Sequence, residues 1–152
     1  LARRVVGWDY SRWYATADTY PQNAVRGPIV MITNQWAGSD GDIVAAATQA
    51  MGYAKVIGER SWGGVVGIDG RFDLVDGTSV TQPRYAGWYG SYGWGVENHG
   101  VDPDIVVTVS PEDWQSDNDV QLDAAIAECL QQLDEKPAAT PPELPGPAFG
   151  RC

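Results

Sequence analysis

The sequence predicts an α/β fold, a mixed sheet with flanking helices in a single domain, and three segments carry that prediction. Residues 27–34, GPIVMITN, hold four apolar residues in succession, which is typical of a strand buried on both faces of a sheet. Residues 41–52 combine good helix formers, a terminating glycine and apolar positions at helical spacing: Ile43, Ala46, Ala47 and Ala50. Residues 55–62, KVIGERSW, predict a second short strand. Such a strand-helix-strand unit predicts a right-handed parallel crossover.

The next segment, from Trp62 to Gly100, is dense in glycine, aromatic and β-branched residues. This composition predicts short antiparallel strands. Within it, the pair Asp76-Gly77 lies between apolar residues and is a hairpin signal whose turn needs a positive φ. Residues 102–110, DPDIVVTVS, predict one further strand.

A closing amphipathic helix is predicted after that strand. Ser116 and Asp119 have the spacing of a capping box. Apolar residues then follow on one helical face: Leu122, Ile126, Cys129, Leu130 and Leu133. From Lys136 onward, five prolines argue against helix or strand. We therefore predict a domain over residues 1–135 and a proline-rich disordered tail over residues 136–152.

Composition limits the classes of partner. Acidic residues outnumber basic ones 20 to 10 among 152 residues, and the isoelectric point is about 4.3. This balance argues against binding to nucleic acid or to anionic membranes. No apolar run reaches membrane-spanning length, and the first residues lack the pattern of a secretory signal. Cys129 and Cys152 form neither a disulfide framework nor a metal-ligand spacing, so we expect a cytoplasmic protein. Because the chain begins at Leu1, we also expect further sequence upstream.

A lone serine, Ser39 in QWAGSDGDIV, lies where the first strand turns into the helix. Such turns hold reactive groups in α/β proteins, because the first helical amides point outward and carry partial positive charge. The Asp40 amide could donate to an oxyanion, and Gly38 and Gly41 would let a substrate approach closely. Ser39 is therefore a candidate nucleophile. The alternative is a serine or aspartate that only caps the helix in an ordinary loop.

A nucleophilic serine needs a base, and the chain has one histidine, His99. One arrangement is a triad of Ser39, His99 and an acid, either Glu97 or Asp102. Glu97 and His99 are two residues apart, so they would share a face of an extended segment. The alternative is a solvated loop histidine without a catalytic role.

Three further patterns suggest a binding site only weakly, and each has a purely structural alternative. Residues 62–67, WGGVVG, lack the lysine and the helix of a phosphate loop, and they predict a tight turn beside a cleft. Asp40 and Asp42 suggest calcium, but the spacing of an EF-hand and its terminal glutamate are absent. Seven tryptophans and seven tyrosines could form a carbohydrate platform, or they could anchor the core and interfaces of a sheet.

Four segments together resemble the tail-specific (carboxyl-terminal processing) protease family, in its tricorn core protease branch. They are VRGPIVMITNQWAGSDGDIV, KVIGERSWGGVVGIDG, VDGTSVTQP and GWGVENHGVDPDIVV, and the resemblance covers residues 7 to about 133. It implies a crotonase- or ClpP-like α/β fold and serine-type hydrolysis of peptides without a cofactor or metal. It also implies that residues 1–135 are the C-terminal part of a catalytic domain.

The resemblance implies roles for individual residues. Ser39 matches the nucleophile, and Asp40 supplies one oxyanion amide. Glu97 matches the acid of a Ser-His-Ser-Glu tetrad, which bonds the second serine and through it orients the histidine. Asp9 resembles an acid that reaches into a neighbouring subunit's primary pocket and favours basic residues, which implies a homo-oligomer. The base histidine and its serine belong to an upstream segment, before a PDZ region, so His99 is not required.

These observations leave three hypotheses. In the first, the chain is part of a serine endopeptidase that acts through an acyl-enzyme on Ser39. The chain alone would be inactive, because the base lies upstream. A PDZ or propeller region of the same protein would also lie upstream. In the second, it is a non-catalytic peptide-binding or self-assembling fragment of the same fold. In the third, it is an autonomous hydrolase of small esters that uses Ser39 and His99.

Overall fold

A computed structural model describes residues 4–13 and 16–143 of the chain, which form two compact units. The smaller unit consists of the described parts of residues 1–28 and 132–152, and the larger unit is Ile29–Gln131. The elements in chain order are β1 (Gly7–Asp9), β2 (Asp18–Tyr20), β3 (Val30–Thr33), α1 (Asp40–Met51), β4 (Lys55–Gly58), β5 (Gly67–Asp69), β6 (Gln82–Tyr85), β7 (Ile105–Val106), α2 (Pro111–Ser116) and α3 (Val120–Glu135).

The smaller unit contains a hairpin that the sequence did not predict. Strands β1 and β2 pair antiparallel, with Trp8 opposite Thr19. The guanidinium of Arg26 lies 5.3 Å from the centroid of the Trp8 ring, which is within the range of a cation–π contact. Strands of three residues carry too little periodicity to be detected from sequence.

Part of the predicted tail belongs to this smaller unit. The Ala139 amide donates to the Arg26 carbonyl oxygen at 2.8 Å, and the Arg26 guanidinium donates to the Ala139 carbonyl oxygen at 2.8 Å. The Tyr10 hydroxyl donates to the Pro142 carbonyl oxygen at 2.5 Å. Residues 144–152 lie outside the described residues, so a disordered tail over residues 136–152 stays a prediction.

The larger unit is built on a parallel sheet of three strands in the order β3-β4-β7. Met31 lies opposite Val56, and Ile57 lies opposite Ile105. Helix α1 connects β3 to β4, so the predicted parallel crossover is confirmed. The antiparallel pair β5-β6 completes the strands of this unit. The prediction of a mixed α/β fold is confirmed.

The core of the larger unit consists of small aliphatic side chains. Its buried members are Ala45, Ala46, Val56, Val65, Val96 and Val101. Helix α1 contributes the two alanines, and it also buries Asp42 and Thr48. Ala50 was predicted on the apolar face but is exposed, because the helix turns the face of Ala45 and Ala46 towards the sheet.

Strand β3 is not buried on both faces, and that prediction is wrong. Met31 packs against the core and Thr33 is buried, whereas Ile32 is 40% exposed. Side chains alternate between the faces of a strand, so Val30 and Ile32 lie on the opposite face. That face meets α3 across an open groove of about 290 Å³, which α3 leaves partly uncovered.

The C-terminal segment forms two helices instead of the predicted one. Helix α2 begins with a capping box between Ser110 and Asp113, and the left-handed conformation of Asp117, with φ 54°, ends it. Ser116 is the last residue of α2, so its predicted capping role is wrong. Asp119 does cap α3, because its Oδ1 accepts from the Leu122 amide at 2.9 Å. Among the described residues, no helix has the length and apolar character needed to cross a bilayer.

The glycine- and aromatic-rich segment forms antiparallel pairs, as predicted. Gly77 has φ 80° in a turn closed by a hydrogen bond from the Leu74 amide to the Thr78 carbonyl oxygen at 2.9 Å. The prediction that aromatic residues anchor the core is confirmed for Tyr89 and Tyr92, which pack against it, and is wrong for most of the tryptophans. Six tryptophans are exposed: Trp13, Trp36, Trp62, Trp88, Trp94 and Trp114.

Candidate active site

Ser39 lies at the turn between β3 and α1, in the N-cap position of the helix. Its backbone has φ 54° and ψ −111°, a sparsely populated conformation for a residue with a side chain. Its carbonyl oxygen accepts the first helical hydrogen bond, from the Ile43 amide at 3.0 Å. The exposed side chain makes no capping hydrogen bond. The Ser39 hydroxyl is therefore presented outward and does not serve the helix.

The backbone amide of Asp40 is the first of α1. Among the described residues it has no hydrogen-bond partner, whereas the Gly41 amide donates to the Gly38 carbonyl oxygen at 2.9 Å. The first amides of a helix are unpaired within it and carry partial positive charge. An amide next to the serine hydroxyl can thus donate to an oxygen that gains negative charge. The Asp40 side chain itself is exposed.

Asp42, which the sequence suggested only as a weak calcium ligand, is fully buried. Its Oδ1 accepts from the Ser61 hydroxyl at 2.5 Å and from the Gly63 amide at 2.8 Å, while Oδ2 accepts from the Gly64 amide at 3.2 Å. Ser61 Oγ in turn accepts from the Val101 amide at 2.8 Å. The first turn of α1 is thereby fastened to the segment that follows β4.

Glu97 is held by the same segment, a few residues further along. Its Oε2 accepts from the Val65 and Val66 amides, each at 2.7 Å. No described residue donates to its other oxygen, Oε1. Two amide donors orient the half-buried carboxylate and leave Oε1 able to accept from a hydroxyl. The amides of residues 63–66 donate to protein carboxylates and that of Trp62 donates to the Ala37 carbonyl oxygen, so this segment is not a phosphate cradle.

His99 is not joined to Ser39. Its Nε2 lies 2.7 Å from Asp102 Oδ2, and its side chain is 52% exposed. Within the part of the chain that the structure describes, no hydrogen bond links His99 to Ser39 or to Glu97. The segment around it is a turn in which Asn98 has φ 64°, so the expectation that Glu97 and His99 share one face of an extended segment is wrong.

Asp9 lies in β1 of the smaller unit, opposite Asp18 in the hairpin register, and its side chain is exposed. Its role in a neighbouring subunit's pocket stays a prediction.

A separate cavity of about 300 Å³ lies in the larger unit and contains none of the predicted site residues. Its lining combines side-chain amides with four carboxylates and one aromatic ring: Glu59, Asp113, Asp117, Asp119 and Trp114. Across residues 4–13 and 16–143, no cluster of three histidine, cysteine, aspartate or glutamate side chains is arranged to hold a metal ion.

Comparison with known protein families decides where the chain belongs. The profile of peptidase family S41 matches residues 5–107. The chain belongs to peptidase family S41. This membership confirms the family predicted from the sequence, and it agrees with a serine-type peptidase chemistry.

The chain is similar to several tricorn proteases. It is 58% identical over 145 residues to tricorn protease homolog 1 of Streptomyces coelicolor, covering 95% of this chain and 14% of the relative. It is 47% identical over 133 residues to the tricorn protease of Thermoplasma acidophilum, covering 88% of this chain and 12% of the relative. The chain thus spans about one-seventh of the length of these curated relatives.

A solved structure agrees with this assignment. The crystal structure of the tricorn protease matches 88% of this chain with a TM-score of 0.83 and 46% identity, over 13% of that protein. The S41 chain is therefore a partial domain of the same α/β fold.

Proposed function

We propose that this S41 chain supplies the nucleophile and the orienting acid of a serine peptidase that hydrolyses peptides. The observation that carries the proposal is the turn at Ser39, where an exposed hydroxyl that caps nothing stands beside the unpaired Asp40 amide. In the reaction, Ser39 Oγ bonds to the scissile carbonyl carbon while its proton passes to a base. The carbon–nitrogen bond then breaks as that proton moves to the leaving amine, and water later releases the acyl group.

The Asp40 amide contributes to this reaction by electrostatics. The carbonyl oxygen gains negative charge when Ser39 attacks, and a preorganised amide donor stabilises that charge. Removal of one such donor costs about 2.7–4 kcal/mol in known hydrolases. The partial positive charge at the start of α1 acts in the same direction.

Glu97 acts at one remove from the reacting atoms. Its Oε2 is occupied by two amides, so Oε1 is the oxygen that would accept from a second hydroxyl and orient the base through it. We place the base histidine on a segment outside this chain, because no hydrogen bond among the described residues links His99 to Ser39, and the family resemblance puts the base upstream. Substrates would be peptides, and Asp9 would favour basic residues in the primary pocket of a neighbouring subunit. A cytoplasmic homo-oligomer with an upstream PDZ or propeller region completes this proposal.

The test uses the full-length protein that contains this chain. A fluorophosphonate reagent should label Ser39, located by peptide mass spectrometry, and Ser39→Ala should abolish labelling and lower kcat by about a thousandfold or more. Ser91→Ala removes another exposed serine and should change neither measurement. Peptide hydrolysis that survives in Ser39→Ala would refute the proposal.

A second candidate function is peptide binding or self-assembly without turnover. It is favoured by one observation: among the described residues no base is bonded to Ser39. The 152-residue chain alone should then bind peptides in calorimetry or oligomerise in light scattering, with no hydrolysis. Turnover by the chain alone would exclude this function, and its loss in His99→Ala would support the small-ester hydrolase instead.

A further inference from the structure

Trp62 is fixed to the turn that presents Ser39 by both its backbone and its ring. Its amide donates to the Ala37 carbonyl oxygen at 3.0 Å. A Cβ atom added to Gly38 would lie 2.5 Å from Trp62 Cε3, and one added to Gly64 would lie 2.5 Å from Cζ3. The benzene edge of the indole therefore packs directly on the backbones of Gly38 and Gly64. A side chain at either position would collide with the ring.

Although it is held in this way, Trp62 remains 66% exposed. A large apolar ring that is fixed and still open to solvent loses little conformational entropy when a ligand covers it. Tryptophan is also among the residues that dominate binding energy at recognition surfaces. The exposed surface of Trp62 is thus suited to contact with an apolar group.

The ring is placed beside the reacting atoms. Gly38 precedes Ser39 directly, and consecutive Cα atoms are about 3.8 Å apart. Gly64 directly precedes Val65, whose amide holds Glu97. The indole thus rests on the two backbone segments that carry the nucleophile and the acid. A peptide attacked by Ser39 would bring only the residues that flank its scissile bond close to this ring.

We propose that Trp62 is a specificity-determining residue that binds a bulky apolar side chain, such as leucine, on the substrate residue that lies across the scissile bond from the one in the primary pocket. This inference rests on the proposed peptidase function and adds its substrate class. Trp62 acts by contact with the substrate and takes no proton in the reaction. Gly38 and Gly64 are also needed for this binding surface, because any side chain at either position would displace the Trp62 ring.

The test measures cleavage of two peptides by the full-length protein. The peptides differ only in the residue that Trp62 is proposed to bind, which is leucine in one and alanine in the other. Trp62→Ala should lower kcat/KM for the leucine peptide by roughly tenfold or more, mainly through KM, and for the alanine peptide by less than about threefold. Trp62→Phe keeps an aromatic ring on the glycines and should retain most of the preference. Trp88→Ala removes a tryptophan of similar exposure, 61%, and should leave the preference unchanged.

Calorimetric binding to Ser39→Ala protein, with and without Trp62→Ala, separates this inference from the peptidase proposal. The dissociation constant for the leucine peptide should rise by roughly tenfold when Trp62 is removed, whether or not the wild-type protein turns over. Absence of Ser39 labelling with Trp62-dependent binding retained would refute the peptidase alone. Equal losses for both peptides in Trp62→Ala and Trp62→Phe, or no loss for either, would overturn the inference.

Discussion

Replacing Asp42 by alanine should destabilise the larger unit more than its short side chain suggests. Asp42 is completely buried and accepts from Ser61, Gly63 and Gly64. The substitution removes all three hydrogen bonds at once. The Ser61 hydroxyl and the Gly63 amide then lose their partners inside the fold.

The magnitude follows from the donors left behind. The hydrogen bonds to the Ser61 hydroxyl and the Gly63 amide are both buried, whereas the bond to Gly64 is only partly buried. A buried donor without a partner costs about 1–3 kcal/mol. Two such donors give a loss of about 2–6 kcal/mol, and we expect about 4 kcal/mol, since Ser61 can turn its hydroxyl towards another acceptor.

Urea denaturation of the 152-residue chain, followed by circular dichroism, measures this loss. Asp123→Ala is the matched control, because Asp123 lies in the first turn of α3 but is exposed. It should change the free energy of unfolding by less than about 1 kcal/mol. A loss below about 1 kcal/mol in Asp42→Ala, with an unchanged m-value, would refute this account of the Asp42 hydrogen bonds.

Three further outcomes are expected. In the proposed full-length peptidase, Glu97→Gln should lower kcat/KM by about a hundredfold or more, because the neutral amide would orient the base poorly, and a loss below tenfold would contradict that role. Gly58→Ala should lower the free energy of unfolding in urea by about 2–5 kcal/mol. Gly58 has φ 124°, and a Cβ there would lie 2.1 Å from the Thr33 carbonyl oxygen in β3. Gly52→Ala, with open space around it, should cost clearly less, and equal losses would count against the steric argument. The Ser110 hydroxyl and, to a smaller extent, the Ser110 amide donate to the Asp113 carboxylate. These hydrogen bonds hold the pKa of that carboxyl below the usual 3.8. The stability it provides is therefore present above pH 3.8 and lost as pH falls through the lowered pKa. Ser110→Ala should raise the Asp113 pKa in an NMR titration, and an unmoved pKa would dispute the cause.

Local signals predicted the parts of the fold that depend on neighbours in sequence. The helix over residues 41–52 and its parallel crossover were predicted because helix formers, a closing glycine and two apolar strands all favour one arrangement. Two capping boxes compete near the C-terminus, and Pro111 decides between them, since proline favours the first helical position after Ser110. The sequence therefore contains the signal that distinguishes the two helix starts.

Tertiary contacts decided the rest. An acid in the first turn of a helix, such as Asp42, is usually exposed and favoured by the helix dipole. Only the fold brings the Gly63 and Gly64 amides to it. The turn at Ser39 was predicted from its place between strand and helix, whereas the packing of Trp62 on Gly38 joins positions 24 residues apart and leaves no local pattern.

Helix α1 carries Ser39 at its start and Asp42 one turn later, and Asp42 grips the stretch of chain whose next amides hold Glu97. A shift of this helix would therefore move the Ser39 hydroxyl and the Glu97 carboxylate together. The distance between these two groups would be preserved. In the proposed peptidase, a segment that supplies the base histidine would meet Ser39 and Glu97 already fixed relative to each other, so it would need to fix only its own position.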